Sequence, residues 1–251
     1  INQCLTRIDK TIKKDCPDIL VLFGDRYEVL AGALAAFGKK ILIIHIHGGS
    51  VTLGAFDDQV RHSLTKLSHI HFPATENAGQ ILEKLGEDPD SIYIVGCPSI
   101  DAICNLDFTL QTDIFDDRGV GPRIDKDQPY LVVLQHPVTT EYGDGFSQIE
   151  ETLNAVETIG LQTVWLWPNV DAGSDDISKG LRMYREREKR EDKISFFRNF
   201  EPENYARLIF NCACLIGNSS SALREGGYLG VPAVNIGTRQ NLREHSGNVL
   251  F

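Results

Sequence analysis

The sequence predicts an α/β protein of two Rossmann-like domains with parallel sheets, and three observations predict it. Short continuous apolar runs recur along the chain and alternate with amphipathic helical patterns, as parallel strands joined by helical crossovers require. Ile19–Phe23 (ILVLF) is a continuous apolar run, which is expected of a parallel strand buried on both faces. The loops after these runs are polar and punctuated by glycine, and open α/β sheets bind ligands beyond the carboxyl ends of their strands.

Ile1, Leu5, Ile8 and Ile12 keep one helical face, and Pro17-Asp18 breaks it. Ile19–Phe23 (ILVLF) reads as a buried strand that Gly24 ends, followed by a helix over Tyr27–Phe37. Ile41–Ile46 (ILIIHI) is the next strand; a glycine-rich loop then leads to a helix from about Asp57 to Leu67. Short strands at Ile70–Phe72 and Ile92–Val95 flank a helix around Ala78–Leu85. The second half repeats the rhythm, with strands at Tyr130–Gln135, Thr163–Trp167, Ile194–Phe197, Cys214–Ile216 and Ala233–Ile236. Helices are expected over Ile149–Ile159, Asp176–Arg190 and Pro202–Phe210, and from Ser219 onward. The polar, Gly/Pro-rich stretch Asp116–Pro129 reads as an interdomain linker, which gives domains of residues 1–124 and 125–251 with a cleft between them.

The 251 residues carry a formal charge of -10. An acidic chain of this kind excludes a general nucleic-acid binder, whereas a few local donors suffice for a small anion. No apolar run approaches the ~18 residues of a membrane span. The six cysteines show no Cys-x-x-Cys spacing, so reduced thiols and a cytoplasmic location are expected. The chain opens as if inside a helix and closes as if entering another element, so further segments are expected at both ends.

Gly217-Asn218-Ser219-Ser220-Ser221 follows a strand and precedes a helical pattern. Unpaired helix-terminal amides, serine hydroxyls and a side-chain-free glycine make an anion site. The same residues would serve ordinary N-capping. Glu225 is placed to accept hydrogen bonds from ribose hydroxyls. In Gly24-Asp25-Arg26, Asp25 is a candidate acid or base, and Arg26 either clamps a phosphate or forms a surface ion pair. His45 and His47, at i and i+2, would share a strand face where a metal pair is conceivable, but no third ligand is evident. Asp57 and Asp58 stand four residues before Arg61 and His62, as helical ion pairs or as positioned carboxylates. His136 and Asn169 follow two strands of the second half, and Arg239 follows a third.

Together, Gly24-Asp25-Arg26, His45-Ile46-x-Gly48-Gly49, Asp57-Asp58-x-x-Arg61-His62-x-x-x-Lys66, Gly96-Cys97-Pro98-Ser99, Gln135-His136-Pro137-Val138-Thr139, Pro168-Asn169-x-Asp171-Ala172-Gly173-Ser174, Gly217-Asn218-Ser219-Ser220 with Glu225, and Gly237-Thr238-Arg239-Gln240 occur in order. The set resembles the hydrolysing UDP-N-acetylglucosamine 2-epimerases of sialic-acid and related nonulosonic-acid synthesis, nearly end to end. The resemblance implies a glycosyltransferase-B-like fold and elimination of UDP to a 2-acetamidoglucal, then hydration to an N-acetylmannosamine-type sugar. It implies that Arg26, His136, Asn169, Ser219, Ser220, Glu225 and Arg239 hold UDP. Asp25 and Asp57 would be catalytic carboxylates, with His136 also at the chemistry. It implies no metal, no nicotinamide, a UDP-sugar as partner, and a homo-oligomer.

The chain departs from the family where a glutamate is usual, at His47 or Ser50. His47 would then take over proton transfer, or catalysis is lost and a UDP-sugar-binding homologue remains. A glycosyltransferase of the same fold is a further alternative. The family's first strand and its last segment are expected to lie outside this sequence.

Overall fold

The computed structural model describes residues 2–52, 57–116, 119–169, 173–187 and 193–251. Ile1, Asp117, Arg118, Asp171, Ala172, the last part (188–190) of the helix expected over Asp176–Arg190, and the side chain of Thr139 lie outside the described residues. The chain divides into two compact units, residues 1–98 and 99–251, both of the Rossmann-like α/β kind that follow one another in a glycosyltransferase-B-type fold.

The first unit runs α1 (Asn2–Asp15), β1 (Ile19–Phe23), α2 (Tyr27–Phe37), β2 (Leu42–Ile46), α3 (Asp57–Leu67), β3 (Ile70–Phe72) and α4 (Glu76–Lys84). The three strands pair in parallel in the order β1-β2-β3. Leu22, Ile43, Val60 and Leu64 form its core, with Ala33 and Ala36 letting α2 lie close to the sheet. Burying Ile43 and Leu64 completely contributes about 2 kcal/mol each. The strand expected at Ile92–Val95 is reduced to one parallel bridge between His71 and Ile92. Pro73 follows β3 directly and has no N–H to extend the ladder.

The helix α5 (Pro98–Ile103) crosses the boundary between the units. The second unit continues with β4 (Gly119–Val120), β5 (Tyr130–Leu134), α6 (Gly145–Ile159), β6 (Gln162–Leu166), α7 (Ser174–Arg185) and β7 (Ile194–Phe197). It then adds α8 (Pro202–Phe210), β8 (Cys214–Gly217), α9 (Glu225–Leu229), β9 (Ala233–Asn235) and β10 (Val249–Leu250). Its sheet has the order β10-β9-β8-β5-β6-β7-β4, parallel except that β4 runs antiparallel to β7. Successive side chains of β5 enter opposite cores. Leu131 and Val133 meet α6 and α7 through Ile149, Leu153, Ile177 and Leu181. Tyr130 and Val132 meet Leu208 and Ile209 of α8. Sequence order therefore runs outward in both directions from the β5–β8 pair, and the flanking helices change face there. That is a topological switch point, where a doubly wound sheet opens a crevice at its carboxyl edge.

The linker expected over Asp116–Pro129 is instead stitched to the second unit, which is why the units part at residue 98 and not at 124. Gly119 and Val120 add β4 to the sheet edge. A Cβ on Gly119 would come within 2.6 Å of the Phe197 ring, and one on Gly121 within 2.6 Å of the Ile194 carbonyl. These glycines, read as chain breakers, are there because the backbone lies flat on β7. Ile114, Phe115 and Ile124 are buried in the second core, and Gln162 bonds Asp125 through both its Oε1 and its Nε2. Among the described residues no helix is long and apolar enough to cross a membrane.

Candidate functional site

In the second unit the crevice is built by β5 and β8, whose last residues Leu134 and Gly217 are register partners. Gly217 has φ +138°, and a Cβ there would collide with the Leu134 carbonyl, so only glycine brings the two strand ends this close. The next residue locks them. The Asn218 amide accepts the His136 N–H at 2.7 Å and donates to the His136 carbonyl at 2.8 Å, while Gln240 Nε2 donates to the Asn218 carbonyl at 2.7 Å. Asn218 is 1% exposed. One amide thus joins the loops after β5 and β8, and Gln240 ties in the loop after β9. Glu141, beyond β5, accepts from Thr238 Oγ1 at 2.7 Å and from Gln148 Nε2 at 2.6 Å, a second clasp on the Gly237-Thr238-Arg239 loop.

The protonation of His136 follows from its partners. The Asn169 N–H donates to Nδ1 at 3.2 Å, so Nδ1 carries no proton, and the neutral ring bears it on Nε2. Burial first, then the charge of Arg239, depresses its pKa to about 3. At neutral pH His136 is an uncharged donor. Arg239 is itself buried, 7% exposed.

The helix expected from Ser219 is a 3-10 turn over Ser220–Ala222, and α9 begins only at Glu225. Ser219 is extended at ψ 143° and its Oγ accepts the Ser221 N–H at 3.3 Å, which caps the turn. Ser219 and Ser221 hydroxyls lie 3.0 Å apart, and Tyr205 Oη is 2.6 Å from Ser221 Oγ. Burial raises the pKa of the Glu225 carboxyl, against the pull of Arg224 and Arg243.

In the first unit Asp25 follows β1 and is gripped by Arg61 of α3. Nε donates to Asp25 Oδ2 at 3.1 Å, and Nη2 closes a second contact to the same oxygen. Arg61 is 1% exposed. It also donates from Nη1 to the Ser50 carbonyl at 2.6 Å and to Asp58 Oδ1 at 3.1 Å, and from Nη2 to Thr52 Oγ1 at 2.9 Å. Its acidic partners are Asp25 and Asp58, not Asp57 as the i,i+4 spacing suggested; the Asp58–His62 pair does form, at 3.3 Å. Asp57 opens α3. Arg26 caps α2 and makes a two-pronged pair with Glu28, at 3.2 and 3.0 Å.

His45 and His47 do not share a strand face, because β2 ends at Ile46 and His47 turns at φ +69°. His45 Nε2 lies 2.9 Å from the Gly24 carbonyl; a carbonyl only accepts, so Nε2 bears the proton. Burial depresses this histidine to about 4. His47 stacks its ring obliquely on Phe23 at 5.0 Å and donates its N–H to the Phe72 carbonyl. Among the described residues no group of three His, Cys, Asp or Glu side chains could hold a metal ion.

A family model for UDP-N-acetylglucosamine 2-epimerase matches residues 1–251. The chain belongs to the UDP-N-acetylglucosamine 2-epimerase family. Over the whole chain it is 34% identical to the UDP-N,N'-diacetylbacillosamine 2-epimerase (hydrolyzing) of Legionella pneumophila and 32% identical to the UDP-N-acetylglucosamine 2-epimerase of Neisseria meningitidis serogroup B, covering 64% and 63% of their lengths. It spans less than two thirds of these epimerases. In fold it superposes on the UDP-GlcNAc 2-epimerase from Neisseria meningitidis bound to UDP-GlcNAc with a TM-score of 0.75 at 17% identity, covering 96% of this chain and 65% of the other. The UDP co-structure of Staphylococcus aureus MnaA gives 0.74 at 18% identity, covering 94% and 63%.

For this epimerase-family chain, the structure brings His136, Asn169 and Ser219 to one carboxyl edge of the second sheet, and in the first unit it sets Asp25 after β1 and Asp57 at the start of α3. Two further residues carry the geometry. Asn218 and Arg61 were legible as motif members, but the bonds that define their roles span 82 and 36 residues.

Proposed function

We propose that the full-length protein is a hydrolysing 2-epimerase that converts UDP-N-acetylglucosamine, or a 4-acetamido-6-deoxy relative, to UDP and an N-acetylmannosamine-type sugar. The observation that carries this is the switch-point crevice of the second unit, where Asn218 fixes His136 beside the serine turn. It supplies neutral and cationic donors, which suit a nucleoside diphosphate. In this reading His136 donates from Nε2, Ser219, Ser220 and Arg239 hold the diphosphate, and Glu225 accepts from the ribose. Asn169 orients His136 through Nδ1. The second unit is then the UDP-holding domain and the first the carboxylate-bearing domain.

Elimination breaks the C1–O bond as the C2 proton leaves, giving UDP and the glycal. Fixed donors on the departing diphosphate lower that barrier most. Hydration adds hydroxyl to C1 and a proton to C2 from the opposite face, so one water is consumed overall. Asp25, held in place by Arg61, and Asp57 are assigned the proton transfers. His136 is not assigned one, because its Nδ1 is occupied and its pKa is too low for a base at neutral pH.

The test is to incubate the full-length protein with each donor in D2O. UDP release with deuterium at C2 of a mannose-configured sugar is the expected result; no UDP from either donor refutes it. A non-catalytic UDP-sugar-binding homologue is the second reading, favoured by the absence of a carboxylate at His47 and Ser50. It predicts UDP binding without turnover, and no turnover in His47→Glu or Ser50→Glu. Sedimentation of the full-length protein tests the homo-oligomer.

A further inference from the structure

Three hydroxyls, two of them in the serine turn, stand in line in the second unit. Tyr205, on α8, places its phenol 2.6 Å from Ser221 Oγ, and Ser221 Oγ stands 3.0 Å from Ser219 Oγ. Tyr205 lies fourteen residues before Ser219 in the sequence, and only the return of α8 along the sheet to β8 and its turn brings the three together. Each hydroxyl has one proton, so the line has a direction.

Consider the two directions. If Tyr205 donates to Ser221, then Ser221 donates to Ser219. Ser219 Oγ already accepts the Ser221 N–H at 3.3 Å, so both of its lone pairs are engaged and its own proton is left to point outward. If the line runs backward, Ser219 spends its proton on Ser221, Ser221 spends its own on Tyr205, and the phenol proton has no acceptor among the described bonds. The forward direction leaves over only the Ser219 proton, at a half-buried residue of the turn where an incoming ligand can accept it. Burial and the neighbouring Glu225 carboxylate raise the phenol's pKa, which keeps it protonated and able to donate.

We propose that Tyr205 is a positioning residue that, through Ser221, forces the Ser219 hydroxyl to act as a donor to the diphosphate of the ligand. This rests on the reading of the serine turn as the UDP site. A serine in water can present either a proton or a lone pair, and turning a lone pair to a phosphate is repulsive. The Tyr205–Ser221 line removes that choice in advance, so no reorientation is needed when the anion arrives. Hydrogen bonds in a line also polarise one another, which makes the last proton a stronger donor.

The test is a thermodynamic cycle on the full-length protein, with UDP as the calorimetric ligand and variants Tyr205→Phe, Ser219→Ala and the pair. Tyr205→Phe keeps the ring and removes only the donor. It is expected to weaken UDP about fivefold, the weight of one hydrogen bond. Ser219→Ala is expected to weaken it tenfold or more, since the bond lost is to a charged group. The pair should bind no worse than Ser219→Ala alone, because the line then ends on nothing. Ser221→Ala should match Tyr205→Phe. A Tyr205→Phe protein that binds UDP like the wild type, or whose loss multiplies with that of Ser219→Ala, overturns the proposal: in the second case the tyrosine acts through packing. If Ser219→Ala itself leaves UDP binding unchanged, the turn is not the UDP site and the reading beneath the proposal fails instead.

Discussion

Truncating Asn218 to alanine isolates the clamp that joins β5 to β8. The wild-type amide is 1% exposed and spends both ends on one residue, accepting the His136 N–H at 2.7 Å and donating to its carbonyl at 2.8 Å. Alanine leaves both backbone groups without that partner. A buried polar group that loses its partner costs about 1–3 kcal/mol. His136 is half-buried, so water recovers part of this, and the expected loss is about 2–3 kcal/mol. Asn218→Asp keeps the acceptor but turns a carboxylate oxygen toward the His136 carbonyl, so it should cost at least as much despite its matching shape. The assay is urea denaturation followed by tryptophan fluorescence. The chain has two tryptophans; Trp165 and Trp167 both lie in the second unit, and Trp165 is fully buried, so the signal reports that unit. With a slope of about 2 kcal/mol per molar urea, the midpoint should fall by about 1 M or more. A shift under about 0.3 M for both variants would refute the claim that the clamp holds the strand ends together.

Three further outcomes follow from the geometry. Because His136 is depressed to about 3 in the fold while an unfolded histidine titrates near 6.5, the unfolded state binds the extra proton. Stability is complete above pH 6.5 and falls as the pH drops toward 3, by about 2 kcal/mol at pH 5; denaturation midpoints at pH 7.5 and 5 measure this, and His136→Gln should flatten the difference. Arg61→Lys removes the two-pronged hold on Asp25 while keeping the charge, so turnover should fall at least tenfold while UDP affinity, which the proposed function assigns to the other unit, stays within about twofold; equal losses in both would place Arg61 elsewhere in the mechanism. Gly217→Ala sets a Cβ against the Leu134 carbonyl at a φ that side chains avoid and should destabilise the second unit by more than about 3 kcal/mol, read on the same urea transition.

The strands were the legible part of this fold, because Ile19–Phe23, Ile70–Phe72 and Ile194–Phe197 are apolar runs whose ends are marked by Gly24, Pro73 and a charged segment. Strand order was not legible, since no local feature says that β8 returns beside β5. The site divided in the same way. Candidate site residues are legible because they sit at strand ends, but spacing does not reveal a distant partner. Helical spacing pairs Arg61 with Asp57, but the folded chain offers it Asp25 from the loop after β1, the Ser50 carbonyl and the Thr52 hydroxyl. Serine's preference for helix caps predicts a helix from Ser219; the Ser219 hydroxyl instead accepts the Ser221 N–H and closes a 3-10 turn, and Arg224 at ψ -78° separates that turn from α9.

The strap from Pro98 to Ile124 also decides what can be cut from this protein. A fragment begun at residue 125 would strip Ile114, Phe115 and Ile124 from the second core and uncover the outer edge of β7, whose unpaired amides and carbonyls β4 now covers. Bare edges of that kind recruit strands from other molecules, so such a fragment should self-associate. One begun at Ser99 keeps its own hem and should remain monodisperse.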